Sequence, residues 1–122
     1  EHRVRFVLLF PLGEEILFRG VLQRAFYEEL TFGSTLFSTG LLGHVPGAVI
    51  LSALLFALTH LQYNGYRFSK TTWIQMAFAL VFGLYAGKLA YGTGSLLLPL
   101  LLHMAANGMR AYYDSQKTLE TA

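Results

Sequence analysis

The sequence predicts an all-α fold, a polytopic transmembrane helix bundle with about four core spans. Hydrophobic residues make up 54% of the 122 residues and charged residues only 13%, whereas a typical soluble domain carries roughly 25% charged residues. Three runs lack any charged side chain: Val45 to Thr59, Thr71 to Gly87 and Leu89 to Met109. Most predicted helices therefore lack the charged stripe of a helix on a soluble domain.

Four segments are predicted to be helical: residues 3–30, 46–61, 69–91 and 95–113. The first is expected to be interrupted by Pro11 and Gly13, because proline inside a helix removes a hydrogen bond. Pro46 suits the first position of the second helix, and Ser69 suits the N-cap of the third. Since a span needs about 20 mostly apolar residues, the second helix is short for one.

Length and composition limit the class of protein. The chain is long enough for one domain, residues 1–122, and not for two. It begins with Glu1 rather than Met, so we expect a segment of a longer protein. The absence of cysteine excludes disulfides and thiolate metal sites. A net charge of +2 from scattered basic residues gives no reason to expect a nucleic-acid partner.

The basic residues predict the orientation of the four spans. If the helices alternate in direction, six basic residues lie on the side where the first helix begins and two on the other side. The six are Arg3, Arg5, Arg67, Lys70, Arg110 and Lys117, and the two are Arg24 and Lys88. Because cytoplasmic loops are enriched in Lys and Arg, the first side is predicted to be cytoplasmic and the protein a multi-pass protein of the cell membrane.

Three charges interrupt the first helix at Glu14, Glu15 and Arg19. Each costs about 2.5–3.5 kcal/mol at the centre of a span, so each needs compensation. Glu15 and Arg19 are four residues apart and can pair on one face. Glu14 has no local partner, and such a carboxyl is suited to accept a proton near neutral pH. The alternative is that both glutamates only hold helices together.

Three further polar residues lie near helix ends or within apolar helices. His60 ends the second helix, and His103 and Asn107 lie four residues apart in the fourth. That spacing directs both side chains to one helix face. Intramembrane polar groups usually face a bundle interior or a watery cavity, so these residues are candidates for a site.

The predicted depths of these residues agree. With a rise of about 1.5 Å per residue, Glu14 lies about 13 Å along its helix from Arg5, and His103 about 10 Å from Arg110. His60 directly precedes the loop on the same side. We therefore expect one shared site in the cytoplasmic half of the membrane.

A glutamate with two histidines permits two chemistries. Two His and one Glu can bind a catalytic zinc, here Glu14, His60 and His103, although the zincin spacing His-Glu-x-x-His is absent. Without a metal, a glutamate can activate water while His and Asn donate hydrogen bonds to the oxyanion. Asn107 suits the second chemistry better because a neutral amide is a poor zinc ligand. No cofactor is favoured, and zinc is the alternative.

Three motifs on successive helices resemble the signatures of the CAAX-protease and bacteriocin-processing family, also called the Abi family. They are Glu14-Glu15-Ile16-Leu17-Phe18-Arg19, Phe56-Ala57-Leu58-Thr59-His60 and His103-Met104-Ala105-Ala106-Asn107. The stretch from Tyr91 to Leu96 also resembles the family's approach to its last motif. The resemblance covers the chain from about Pro11 to Asn107.

The resemblance implies a multi-pass intramembrane endopeptidase similar to the type II CAAX prenyl endopeptidases. It implies that Glu14 is the water-activating base and that His60, His103 and Asn107 complete the catalytic site. Three residues are expected to be structural: Glu15, Arg19 and Phe56. The expected partners are the lipid bilayer and a membrane-anchored protein or peptide substrate. The family usually has more spans than four, so flanking helices are expected.

Other functions remain open on the sequence. A zinc-dependent protease would use the same residues, and a membrane immunity or scaffold protein would not be an enzyme. A transporter would more often show repeated halves. The substrate can be a prenylated CAAX protein, a bacteriocin precursor or another membrane-anchored peptide. His44 and Tyr63 match no motif and are assigned no role.

Overall fold

The computed structural model describes residues 2–120, which form four helices and a short β-hairpin. The helices are α1 (residues 2–29), α2 (Gly47–Tyr63), α3 (Lys70–Thr93) and α4 (Leu97–Glu120), and the strands are β1 (Leu36–Thr39) and β2 (Gly43–Pro46). Helices α2 and α3 lie within two residues of their predicted bounds. Helix α4 continues past its predicted end at residue 113.

Helix α1 is continuous, so the expected interruption at Pro11 and Gly13 is wrong. Two π-helical segments, Arg5–Leu9 and Ile16–Leu22, alternate with α-helical turns along its length. Pro11 lies at the start of the α-helical segment Phe10–Glu15, where a fixed φ and a missing N–H are tolerated. The π segments therefore flank the turn that carries both glutamates, and π turns occur frequently at functional sites.

A short hairpin between α1 and α2 is added to the mostly helical fold that the sequence predicted. Strands β1 and β2 pair antiparallel, with Leu36 opposite Pro46 and Thr39 opposite Gly43. Gly43 has a φ of +69°, which favours glycine where the chain reverses. Pro46 ends β2 and caps α2 from an extended conformation, so the first helical residue is Gly47 rather than Pro46.

The chain order gives the helix bundle two distinct ends. At one, which we call the site end, α1 and α3 begin and α2 and α4 end. At the other, the hairpin end, α1 and α3 end, α2 and α4 begin, and β1 and β2 lie between α1 and α2. Helices α2 and α3 pack most closely, and a Cβ added to Gly83 would meet the Cβ of Ala53 at 3.1 Å. Small residues allow this approach of two backbones.

Polar side chains lie inside this bundle and many apolar side chains lie outside. The buried polar residues are Glu15, Arg19, Gln23, Ser52, Thr72 and His103. Large exposed apolar side chains occur on every helix, for example Val21, Leu58, Phe78 and Leu101. Extensive exposed apolar surface marks contact with a membrane or another protein. This arrangement is the opposite of the one expected for a soluble domain.

One helix of residues 2–120, Lys70–Thr93, is long and apolar enough to cross a membrane by length and composition. Helix α2 is apolar but has 17 residues, or about 25 Å at the α-helical rise. Helix α1 carries several charges inside the bundle, and α4 becomes charged towards its end. The structure thus has four helices in residues 2–120, of which α3 alone passes this test. The expectation of about four spans stays a prediction.

Candidate active site

A cavity of about 260 Å³ opens at the site end and brings the four candidate catalytic residues together. Glu14 reaches it from α1, His60 from α2, and His103 and Asn107 from α4. The remaining lining residues are Phe6, Phe10, Tyr63, Asn64, Gln75 and Arg110. The cavity thus combines one carboxylate, two imidazoles and several amide groups in a partly enclosed space, which is the type of pocket in which active sites form.

His103 lies between the two glutamates of α1. Its Nδ1 is 2.8 Å from Oε1 of Glu15, and its Nε2 is 3.3 Å from Oε2 of Glu14. The rings of Phe56 and Phe82 pack against the imidazole, with centroids 5.7 and 5.0 Å away. The ring is therefore fixed in both orientation and position, with each nitrogen directed at a carboxylate.

Glu15 pairs with Arg19, as the spacing predicted. Nη1 of Arg19 donates to Oε1 of Glu15 over 3.2 Å, and Glu15 is fully buried. The Arg19 guanidinium also lies 4.5 Å from the centroid of the Phe56 ring, a cation–π geometry. The contacts of Glu15, Arg19 and Phe56 thus form one cluster next to His103. The direct contact of Glu15 with His103 was not expected from the sequence.

Glu14 has a partner that the motifs did not identify. The hydroxyl of Tyr63 donates a 2.6 Å hydrogen bond to Oε1 of Glu14. Tyr63 lies three residues after His60 on α2, and residues at that spacing share a helix face. The centroids of the two rings are 5.6 Å apart. That spacing was the available sequence signal, and it identifies Tyr63 as a site residue that motif matching missed.

His60 and Asn107 each use one group to bind backbone and leave another for the cavity. The Nδ1 of His60 is 3.2 Å from the carbonyl oxygen of Phe56. If Nδ1 carries the proton for that contact, the neutral ring has an acceptor at Nε2. Nδ2 of Asn107 donates to the carbonyl oxygen of Phe6 over 3.0 Å, and a second N–H of the same amide remains. Both side chains can therefore bind a small polar group.

The end of α2 is tied to α3 by a further amide. Nδ2 of Asn64 lies 2.7 Å from both the carbonyl oxygen of His60 and Oε1 of Gln75. These contacts hold the helix turn that carries His60 against the first turns of α3. The position of His60 thus depends on side chains from two elements.

In the zinc alternative, the ligands would be Glu14, His60 and His103. Within residues 2–120, no group of three or more His, Cys, Asp or Glu side chains is arranged to hold a metal ion. Nε2 of His103 lies 3.3 Å from Oε2 of Glu14, and its Nδ1 faces Glu15.

Comparison with known proteins adds to this geometry. The model of the type II CAAX prenyl endopeptidase Rce1-like family matches residues 3–109. The chain belongs to the Rce1-like family. This confirms the resemblance that the three motifs predicted. Rce1-like proteins are membrane-integral and are peptidases at the level of the family.

A curated relative from Escherichia coli is described as an uncharacterized 24.3 kDa protein. It is 34% identical to the chain over 99 residues, which cover 81% of this chain and 37% of the relative. The chain therefore spans well under half of the relative's length. No solved structure matches the chain.

Proposed function

We propose that this chain forms the catalytic core of an intramembrane endopeptidase that hydrolyses peptide bonds of membrane-anchored proteins or peptides. The observation that carries the proposal is the cavity shared by Glu14, His60, His103 and Asn107. Four residues from three helices meet there, although α1 and α4 lie at opposite ends of the sequence. Membership of the Rce1-like family supports the same reaction class.

Glu14 is the general base in this proposal. It removes a proton from a water molecule held between its carboxylate and Nε2 of His60. The resulting hydroxide attacks the carbonyl carbon of the scissile peptide bond, and the carbonyl oxygen becomes an oxyanion. When the C–N bond breaks, Glu14 returns the proton to the leaving nitrogen. Each hydrolysis thus consumes one water and leaves the glutamate ionised, as general acid–base catalysis requires.

His103 and Asn107 stabilise the oxyanion. An imidazole that faces carboxylates on both sides, as His103 does at 2.8 and 3.3 Å, donates from both nitrogens when it is protonated. Once Glu14 has taken up a proton it attracts Nε2 of His103 less, so the N–H can be shared with an oxyanion beside Glu14 while the ring stays in place. The second N–H of Asn107 supplies the other donor. No metal or other cofactor is required.

The membrane placement in this proposal follows from the outer surface. All four helices cross the bilayer, with the apolar outer side chains in lipid and the buried polar residues inside. Arg3, Arg67 and Arg110 lie at the site end, so that end faces the cytoplasm under the positive-inside rule. Substrates therefore meet the cavity in the cytoplasmic half of the membrane.

A comparison of membrane proteomes tests the function. Membranes that carry the wild-type protein should lack peptide segments that persist in membranes carrying Glu14→Ala. Glu28→Gln is the matched control, because Glu28 is an exposed glutamate of the same helix and pairs with Arg24 at the surface. Identical proteomes for wild type and Glu14→Ala, at equal abundance of the two proteins, would refute the peptidase assignment.

A further inference from the structure

A row of buried polar side chains continues from the active site towards the hairpin end. Glu15, Arg19 and Gln23 follow one another at four-residue spacing, so they share one face of α1. All three are buried, with at most 6% of their surface exposed. The row begins at His103, 2.8 Å from Glu15, and ends where Nε2 of Gln23 donates to the carbonyl oxygen of Gly87 over 2.9 Å. We call these three residues the polar row.

The polar row carries unpartnered hydrogen-bonding atoms. In residues 2–120, the buried side-chain atoms without a hydrogen-bond partner are Oε2 of Glu15, Nε and Nη2 of Arg19, and Oε1 of Gln23. Buried polar atoms in folded proteins are almost always hydrogen-bonded, to protein or to water. Four such atoms on consecutive turns of one helix face therefore indicate a shared partner along the row.

Two glycines of α3 let its backbone approach the polar row closely. A Cβ added to Gly83 would lie 3.3 Å from Nη2 of Arg19, and one added to Gly87 would lie 2.6 Å from Oε1 of Gln23. The ends of both polar side chains thus lie against the glycine backbone of α3. Any residue with a side chain at position 87 would displace the Gln23 amide.

The row opens into a second cavity at the hairpin end. This cavity has a volume of about 500 Å³, and Arg19 and Gln23 line it together with Tyr27, Tyr91 and Ser95. It lies at the opposite end of the bundle from the catalytic cavity. Two buried residues with unpartnered atoms therefore border open space.

The chemistry of the unpartnered atoms selects the ligand. Oε2 of Glu15 and Oε1 of Gln23 need hydrogen-bond donors, whereas Nε and Nη2 of Arg19 need acceptors. An anion would be repelled by Glu15, and a fully ionised one could not donate to Gln23. A lipid chain would leave all four atoms without partners. Water both donates and accepts, and buried water typically makes about three hydrogen bonds to such groups.

We propose that the cavity at the hairpin end is a water-filled vestibule, and that water extends from it along the polar row to the Glu15 carboxylate beside His103. The role of this path rests on the proposed function. A substrate in the catalytic cavity obstructs that entrance, while each hydrolysis consumes one water. The polar row then supplies water from the other end of the bundle.

Thiol labelling tests the path without reference to protease activity. The chain has no cysteine, so Gln23→Cys and Val21→Cys each introduce one. Val21 lies two residues away and has 54% of its surface exposed on the outer face of α1. In lipid vesicles, a small membrane-impermeant methanethiosulfonate should modify Gln23→Cys about ten times faster than Val21→Cys, because the reactive thiolate forms in water and not in lipid.

The outcomes separate the path from the proposed function. Ala90→Cys is a small-for-small change in the vestibule wall. Unreactive thiols in both this variant and Gln23→Cys would overturn the vestibule. Fast labelling of Val21→Cys would instead overturn the membrane placement. If labelling of Gln23→Cys succeeds, the bound group should lower the cleavage rate of that variant. An unchanged rate in fully labelled protein would overturn the water supply, whereas an inactive wild type would overturn the peptidase assignment alone.

Discussion

The hydroxyl of Tyr63 donates a 2.6 Å hydrogen bond to Oε1 of Glu14, the carboxylate proposed as the base. Oε2 of the same carboxylate lies 3.3 Å from Nε2 of His103. The base on α1 is thus held by one group from the end of α2 and one from α4. A carboxylate has about four lone-pair sites, so it can still bind the reacting water while both contacts persist.

Tyr63→Phe should slow cleavage without weakening substrate binding. A hydrogen bond to a charged group contributes about 1.5–3 kcal/mol, so kcat should fall by about tenfold or more. KM should change little, because Tyr63 contacts the base and fixes its orientation. Steady-state kinetics on the purified protein measure both constants. Tyr66→Phe is the matched control, since Tyr66 lies in the following turn with 67% of its surface exposed. An equal loss in both variants would contradict a specific role for Tyr63.

The two glutamates should respond differently to removal of their charge. Glu14→Gln should abolish cleavage at normal abundance, because it removes the base and keeps the volume. Glu15→Gln should mainly lower abundance, because breaking a buried ion pair by removing one partner costs about 3–5 kcal/mol. The folded remainder should also cleave more slowly, since Glu15 positions His103. Immunoblots and activity per molecule separate the two effects. Loss of activity at normal abundance for Glu15→Gln, with an active Glu14→Gln, would reverse the assigned roles.

Asn107 and His103 should act on the same oxygen. Losing one oxyanion donor typically costs about 10²–10³ in turnover, so Asn107→Ala should lower kcat by that factor and leave KM nearly unchanged. His103→Ala should resemble it, and the double variant should lose less than the product of the two factors, because the effects of groups that act together are not additive. Multiplicative losses would indicate that the two side chains act on different atoms.

Activity should not depend on a metal. Purified protein should remain active after exhaustive chelation and should contain less than one metal ion per chain by elemental analysis. The reason is the arrangement of Glu14, His60 and His103, which forms no metal-binding group. Stoichiometric zinc, with activity lost on its removal and restored on its return, would require the opposite conclusion and another role for Asn107.

The four-span topology predicts which engineered cysteines are labelled together. Cysteines at Arg67 and Lys117, both at the site end, should react from one face of the membrane. A cysteine at Lys88, near the hairpin end, should react from the other face. Lys88 donates from Nζ to the carbonyl oxygen of Leu42 in the turn of the hairpin, so its substitution leaves the site end intact. Labelling of positions 67 and 88 from one face would exclude four alternating spans.

Local sequence predicted the helices and the pairings within one helix. The apolar runs predicted α2 and α3 within two residues, and the spacing of Glu15 and Arg19 predicted their contact, because both features depend on neighbours in the chain. The hairpin at residues 36–46 was missed because each strand has four residues and no clear alternation. The continuity of α1 was missed because Pro11 lies at the start of an α-helical segment that follows a π segment, and no local pattern encodes the π segments.

The sequence by itself determined the chemistry available to this protein and the family to which it belongs. It specified an apolar chain and the three motifs that carry Glu14, His60, His103 and Asn107. The tertiary structure decided which atoms meet. The contact of Tyr63 with Glu14 and the placement of His103 between two carboxylates join residues far apart in sequence. The unpartnered atoms of Glu15, Arg19 and Gln23 depend on how α3 packs against α1. Such contacts arise from helix packing, which residue spacing along one helix does not determine.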